Sequence, residues 1–259
     1  MSKDIINGYV TAETHNYITT IEFFHPQSNS LPHRLLSALA HEIHTAGIDR
    51  DTHVIVLRSV GERAFCAGAS FDELTQIGDK EKGYQFFSGF AEVINAMRKC
   101  PKLIIGRIHG KCVGGGVGLA AAVDYAIAVD GAEIKLSELA IGIGPFVVGP
   151  AVQRKIGLSA FSQLSIDATM WRNADWARRK GIFAECHPSV ESMDESIRRL
   201  SHQLSHSSPE AMREMKKVFW QDTDDWDELL AKRAEISGRL VLSHFTKEAI
   251  AKFKSKATS

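Results

Sequence analysis

The sequence predicts an α/β fold: one α/β core followed by a helical C-terminal region. Three observations carry that reading. Short apolar, β-branched runs alternate with segments of helical period through the first 195 residues. Past that point only helical patterns remain. No low-charge linker that would split two domains is visible. The expected division is therefore a core over 1–195 and a helical region over 196–259.

The elements follow in order. Gly8 to Phe24 is rich in β-branched and aromatic residues, broken by Glu13-Thr14-His15-Asn16, and reads as a hairpin. Leu35, Leu36, Leu39, Ile43 and Ala46 recur at helical spacing over 33–46, with Gly47 as a stop. His53 to Ser59 is a short buried strand, and 60–70 a loop. Phe86, Phe90, Val93, Ile94 and Met97 form one helical face over 84–98, closed by Pro101. Lys102 to His109 is again strand-like, and a glycine cluster follows it. Sequential strands joined through helices imply right-handed crossovers. Helices are expected over 209–220, where Pro209 takes the first helical position, and over 225–239 and 245–254.

Composition narrows the function. The 259 residues are 44% hydrophobic and 24% charged, which excludes disorder as the main state. Lys+Arg and Asp+Glu both total 31, so a general electrostatic footprint for nucleic acid is absent. No apolar run reaches the roughly 18 residues of a membrane span. Met1-Ser2-Lys3-Asp4 does not open a signal-peptide core, so a cytoplasmic protein is expected. The four cysteines (Cys66, Cys100, Cys112, Cys186) form neither a C-x-x-C pair nor a zinc pattern and read as free thiols. His41-Glu42-Ile43-His44 is not H-E-x-x-H, so no metal site is expected.

Three stretches are placed to do chemistry. Gly114-Gly115-Gly116 opens a helix, where free backbone N–H groups suit an anion or a developing oxyanion. Ala67-Gly68-Ala69-Ser70 follows a strand in the same way, so the two turns together offer converging N–H donors. Glu138 sits among apolar neighbours, which raise a carboxyl pKa towards neutrality, unless it pairs with a cation such as Arg154. Gly116-x-Gly118-x-x-Ala121 also fits a dinucleotide fingerprint, but an α/β region of about 100 residues precedes it, whereas that fingerprint opens its fold. No Gly-Lys-Ser/Thr follows the glycines, which excludes a P-loop.

In this order, the Asn29-Ser30-Leu31 loop, Ala67-Gly68-Ala69, Gly114-Gly115-Gly116, Ser137-Glu138, Gln153-Arg154 and Gly181-Ile182-Phe183 resemble the enoyl-CoA hydratase/isomerase (crotonase) superfamily over nearly the whole chain. The resemblance implies a crotonase-like fold: repeated ββα units forming a spiral core, with C-terminal helices that build a homotrimer or hexamer. It implies an acyl-CoA thioester as partner, coenzyme A entering only as part of the substrate, and no other cofactor. By the same resemblance, Ala67 and Gly115 supply the oxyanion hole and Glu138 is the catalytic carboxylate. Ser30, Leu31, Ala67, Ala69, Ser70, Phe71 and Gly115 fall where the family contacts coenzyme A, and Phe253 or Lys254 would approach its phosphates.

Two departures matter. Hydratases of the family carry a first glutamate where this chain has Gly118. Gly142 to Gly149 lacks the family's commoner Pro-Gly-x-Gly pattern, and pocket shape is expected to depend on residues near Phe71, on the 72–98 region and on Phe146-Val147-Val148. A single glutamate after Gly-Gly-Gly-Val-Gly-Leu is similar to the methylglutaconyl-CoA hydratase branch. Hydration is the expected reaction. Isomerisation, decarboxylation and non-catalytic acyl-CoA binding remain as alternatives.

Overall fold

The computed structural model describes residues 4–257, with side chains through Lys252. Phe253 and Lys254 are thus side chains outside the described residues. Two sheets organise the core. The large one runs β1 (Tyr9–His15), β2 (Ile18–Phe24), β3 (Val54–Ser59), β5 (Leu103–Ile108), β7 (Tyr125–Val129) and β10 (Glu185–His187). The small one runs β4 (Ala64–Cys66), β6 (Lys111–Val113), β8 (Glu133–Lys135) and β9 (Arg172–Asn173).

The two sheets grow together. Each unit lays one strand in the large sheet, one in the small sheet, and then a helical segment: β3–β4, β5–β6 and β7–β8 are successive repeats. This is the crotonase-like α/β fold, with a C-terminal helical bundle. The first hairpin is antiparallel, pairing Tyr9 with Phe24 through His15 with Ile18. The remaining large-sheet pairs are parallel. Both faces of such strands are covered, which is why β3 and β5 read as nearly unbroken apolar runs.

Helices α1 (His33–Ile48) and α3 (Lys80–Lys99) pack on each other and deliver Leu35, Leu36, Leu39, Ile43, Phe90, Val93, Ile94 and Met97 to the core. Between them lies the one-turn α2 (Phe71–Leu74), capped by Ser70, whose Oγ accepts the Glu73 N–H at 3.3 Å. Helix α4 (Gly115–Ala122) is buried along nearly its whole length. Helix α5 (Gly149–Ile166) breaks at Gly157, where φ is +75°. Helix α6 (Ala174–Lys180) ends at Gly181, with φ +99°.

Helix α7 (Val190–Ser205) packs on the large sheet. Residue 195 lies inside it, so the expected division falls within a helix that packs on the sheet. There follow α8 (Pro209–Phe219), α9 (Trp226–Leu240) and α10 (His244–Ala257). Helices α9 and α3 cross closely. A Cβ at Gly83 would stand 2.7 Å from the Gly238 carbonyl oxygen, so the crossing needs glycine on both sides. All four cysteines are free thiols. Among the described residues no helix is long and apolar enough to cross a membrane.

Candidate active site

The small sheet assembles the site. Its strands β4, β6 and β8 are parallel neighbours, with Cys66 beside Cys112 and Cys112 beside Ile134. Parallel strands end on one edge. The segments that follow them, 67–70, 114–116 and 137–138, therefore emerge side by side. The Gly114 N–H donates to the Lys135 carbonyl at 2.9 Å and ties the second segment to the third. Gly68, at φ +91°, ties the first to the second: a Cβ there would stand 2.8 Å from the Val113 oxygen and 3.4 Å from the Gly115 nitrogen. Only a bare backbone fits such an approach.

The two turns present N–H donors unequally. Gly115 opens α4, and its N–H has no acceptor among the described residues. The Ala67 N–H donates to the Ser28 carbonyl at 3.2 Å, which corrects the expectation of a free donor there. Two residues on, the backbone turns over. Leu31 N–H donates to Gly68 O, and Ser70 N–H to Leu31 O, in a parallel bridge between Leu31 and Ala69. The Ala69 N–H points away from that bridge and has no acceptor among the described residues. The free pair is thus Ala69 and Gly115. The sequence signal existed, because Ala69 flanks the same Gly68, but the spacing alone did not tell which neighbour's N–H is used up.

Glu138 opens a 3-10 turn, Glu138–Ile141, stopped by Gly142 at φ +80°. Its carboxyl lies over Gly114: a Cβ there would be 3.1 Å from Oε1 and 3.4 Å from Cδ. Oε2 is out of solvent and has no hydrogen-bond partner. Burial pushes the carboxyl up to about 7, opposed only by its own backbone N–H. Arg154 does not pair with it, since that guanidinium donates to the Phe219 carbonyl. Position 118, where a first glutamate was looked for, is closed: a Cβ on Gly118 would stand 2.5 Å from Val148 Cγ1.

Other expected contacts are placed as follows. Ser30 and Leu31 are buried, Ser30 Oγ lying 3.4 Å from His25 Nδ1, so this loop offers backbone rather than side chains. Asn29 locks it, with Nδ2 donating to Val60 O and Ala64 O and Oδ1 accepting from His25 N. Ser70 is spent as a cap. Phe71 joins an apolar cluster of Leu74, Phe86, Ile143, Val241 and Ile250, in which α10 covers the Glu138 turn of its own chain. Thr246 Oγ1 donates to the Gly142 oxygen at 3.3 Å. An open hollow of about 520 Å³ lies beside these loops, lined by His25, Gln27, Pro32, Arg34, Ser70 and Asp72 and by the 4–7 segment. Sequence reasoning missed Arg34 and His25, which no motif marks.

His109 is buried, and burial, with Arg107, pushes it down to about 4, so it is a neutral imidazole. His41 and His44 are exposed, and no cluster of His, Cys, Asp or Glu among the described residues could hold a metal ion.

Comparison with known proteins places the chain in a family. Residues 13–258 match the family described as Enoyl-CoA hydratase/isomerase. The chain is similar to the mitochondrial methylglutaconyl-CoA hydratase of Homo sapiens, 29% identical over 74% of this chain and 58% of that protein. It is also similar to the carnitinyl-CoA dehydratase of Proteus mirabilis, 31% identical over 66% of this chain and 64% of that protein. The match thus spans about three fifths of these relatives' length. Among solved structures, an enoyl-CoA hydratase from Bacillus halodurans superposes with a TM-score of 0.87 at 20% identity, over 94% of this chain and 99% of that one. The family match over nearly the whole chain, together with the ββα spiral and the three converging turns, makes this protein a member of the enoyl-CoA hydratase/isomerase family.

Proposed function

We propose that the protein is an acyl-CoA hydratase, adding water to or removing it from a 2-enoyl-CoA thioester. The observation that carries this is the Glu138 carboxyl over Gly114, its Oε2 out of solvent without a partner, next to the free Gly115 N–H. The thioester oxygen takes hydrogen bonds from Gly115 N–H and, in place of Ala67, from Ala69 N–H. Glu138 removes a proton from water as its oxygen bonds to the β-carbon. The double-bond electrons move onto the thioester oxygen as an enolate. The enolate then collapses and takes the proton from Glu138 at the α-carbon. One carboxyl serves both transfers because a group near 7 accepts and donates at neutral pH.

Coenzyme A is assigned to the 25–34 and 67–72 loops. The hollow beside them, with Arg34 and His25 at its wall, supports the nucleotide end there. The apolar cluster under α10 supports an uncharged acyl or pantetheine chain. Exposed Met215, Val218 and Phe219 on α8 support assembly as a homotrimer or hexamer. A second reading, double-bond isomerisation, is favoured by the apolar filling at position 118, since moving a proton between two carbons needs one carboxylate and no water.

The test is mass spectrometry of 2-enoyl-CoA and 3-enoyl-CoA esters, 3-methylglutaconyl-CoA included, incubated in heavy water. Gain of water supports hydratase. Deuterium uptake or a shifted double bond without water gain replaces it by isomerase.

A further inference from the structure

Helix α4 presents two glycines on one face. Gly114, its cap, and Gly118 are four residues apart and so lie one above the other. Over Gly114 sits the Glu138 carboxyl. Over Gly118 sits Val148, 4% exposed, placed by the turn that leads into α5. A Cβ on Gly118 would be 2.5 Å from Val148 Cγ1 and 2.7 Å from Val148 Cβ. Real Cβ atoms do not approach that closely, and Val148 is too short and too stiff at χ1 to step aside.

We propose that Val148 is a specificity-determining residue: its isopropyl group fills the place, one helical turn from Glu138, where a second carboxylate or its water would stand. The absent glutamate is then one half of a pair of changes. The other half is the valine that seals the gap and keeps that side of the site dry, so that every proton passes through Glu138. This rests on the enolate chemistry proposed above and adds what decides the fate of the enolate. Water then reaches the enolate only from the Glu138 side, and the width of the gap sets the balance between its capture and proton transfer between carbons.

The experiment compares Gly118→Glu, Val148→Gly and the double variant with the wild-type protein. Two quantities are read: the melting temperature, and the ratio of water gained to deuterium exchanged for short unbranched 2-enoyl-CoA and 3-enoyl-CoA esters in heavy water. Gly118→Glu alone is expected to lower the melting temperature and lose turnover, because its Cβ meets Val148. Adding Val148→Gly is expected to recover the melting temperature. It should also raise the ratio at least about tenfold over wild type, a cautious figure beside the 10²–10⁴ of a positioned proton-transfer group. Gly118→Glu melting like wild type overturns the proposal, since Val148 then fills nothing that matters. So does a double variant that melts like wild type with an unchanged ratio. Wild-type protein that neither hydrates nor exchanges any ester overturns the enolate reading instead, and the melting series still decides whether Val148 occupies the gap.

Discussion

The two sheets do different work. The large sheet is built for packing: five of its six strands are five to seven residues long, and Ile21, Phe23, Val54, Ile55, Leu57, Ile104, Ile105 and Ile127 lie in the core. The small sheet is built for placement. Its strands have two or three residues each, and its edge releases the three turns that carry Ala69, Gly115 and Glu138. A sheet of that size could not fold by itself. It rides on the large one, strand by strand, and Phe65, Cys66, Cys112 and Ile134 join the same core, so the site inherits that core's rigidity. Stability and chemistry should therefore be separable by mutation.

The sharpest way to try to break that separation is at Glu138. Glu138→Gln keeps shape and removes the proton carrier. Turnover is expected to fall by about 10²–10⁴-fold while acyl-CoA binding stays within a few-fold. Steady-state rates and calorimetric titration with an unreactive thioester check both halves. A variant that keeps most of its rate ends the assignment. The counterpart on the packing side is Asp124, at the start of β7. Its carboxylate accepts from Ile104 N–H, Trp220 Nε1 and Lys216 Nζ, the last at 2.5 Å, with the Lys216 and Asp124 side chains 3% and 6% exposed. Asp124→Asn leaves the Lys216 ammonium buried and unpaired. Breaking such a pair costs about 3–5 kcal/mol. Denaturant unfolding should show that loss, with kcat unchanged in the fraction that stays folded.

A pH series joins the two regions. Glu138 is raised from 4.5 unfolded to about 7 folded by burial. The folded chain therefore holds that proton more tightly. The stabilisation is fully present below pH 4.5 and is lost as pH rises through about 7. At pH 8 the buried charge costs up to about 3 kcal/mol at 1.36 kcal/mol per pH step. Glu138→Gln should then be the more stable protein at pH 8, and the difference should vanish near pH 4.5. If hydration is limited by proton removal from water, kcat/KM rises with pH through the same range.

The same contrast explains what could be read in advance. The large sheet announces itself, because β3 and β5 are apolar runs long enough to carry a period. Strands β4, β6 and β8 do not. Three residues such as Ala64-Phe65-Cys66 or Glu133-Ile134-Lys135 hold no period at all, and 60–70 reads as plain loop. The raised carboxyl of Glu138 is legible from its apolar neighbours, and the unpaired N–H of Gly115 from the glycine run. The donor at the first turn was not, since only the Ala67-to-Ser28 hydrogen bond removes Ala67 and leaves Ala69. Nor was Val148, whose position against Gly118 depends on how the 142–149 turn returns to α4. Motif spacing places turns; it does not say which atoms within them are already used.

Ser70 tests the contrast at its finest grain, where one hydroxyl stands at the border between placement and binding. It is 4% exposed, caps α2, and lines the hollow assigned to coenzyme A. As a cap it acts on the fold, and Ser70→Ala should cost about 1 kcal/mol. That is a fall in melting temperature of roughly 2–4 °C for a chain of this size. As a thioester ligand it would act on KM and leave melting alone. Ser70→Asp separates the roles, because aspartate caps a helix as well as serine does but brings a negative charge to the wall where phosphates are to lie. The expected result is a normal melting temperature with a raised KM for Ser70→Asp, and a lowered melting temperature with a KM that moves less than threefold for Ser70→Ala. A KM raised tenfold in Ser70→Ala with melting intact would move Ser70 from the scaffold to the substrate.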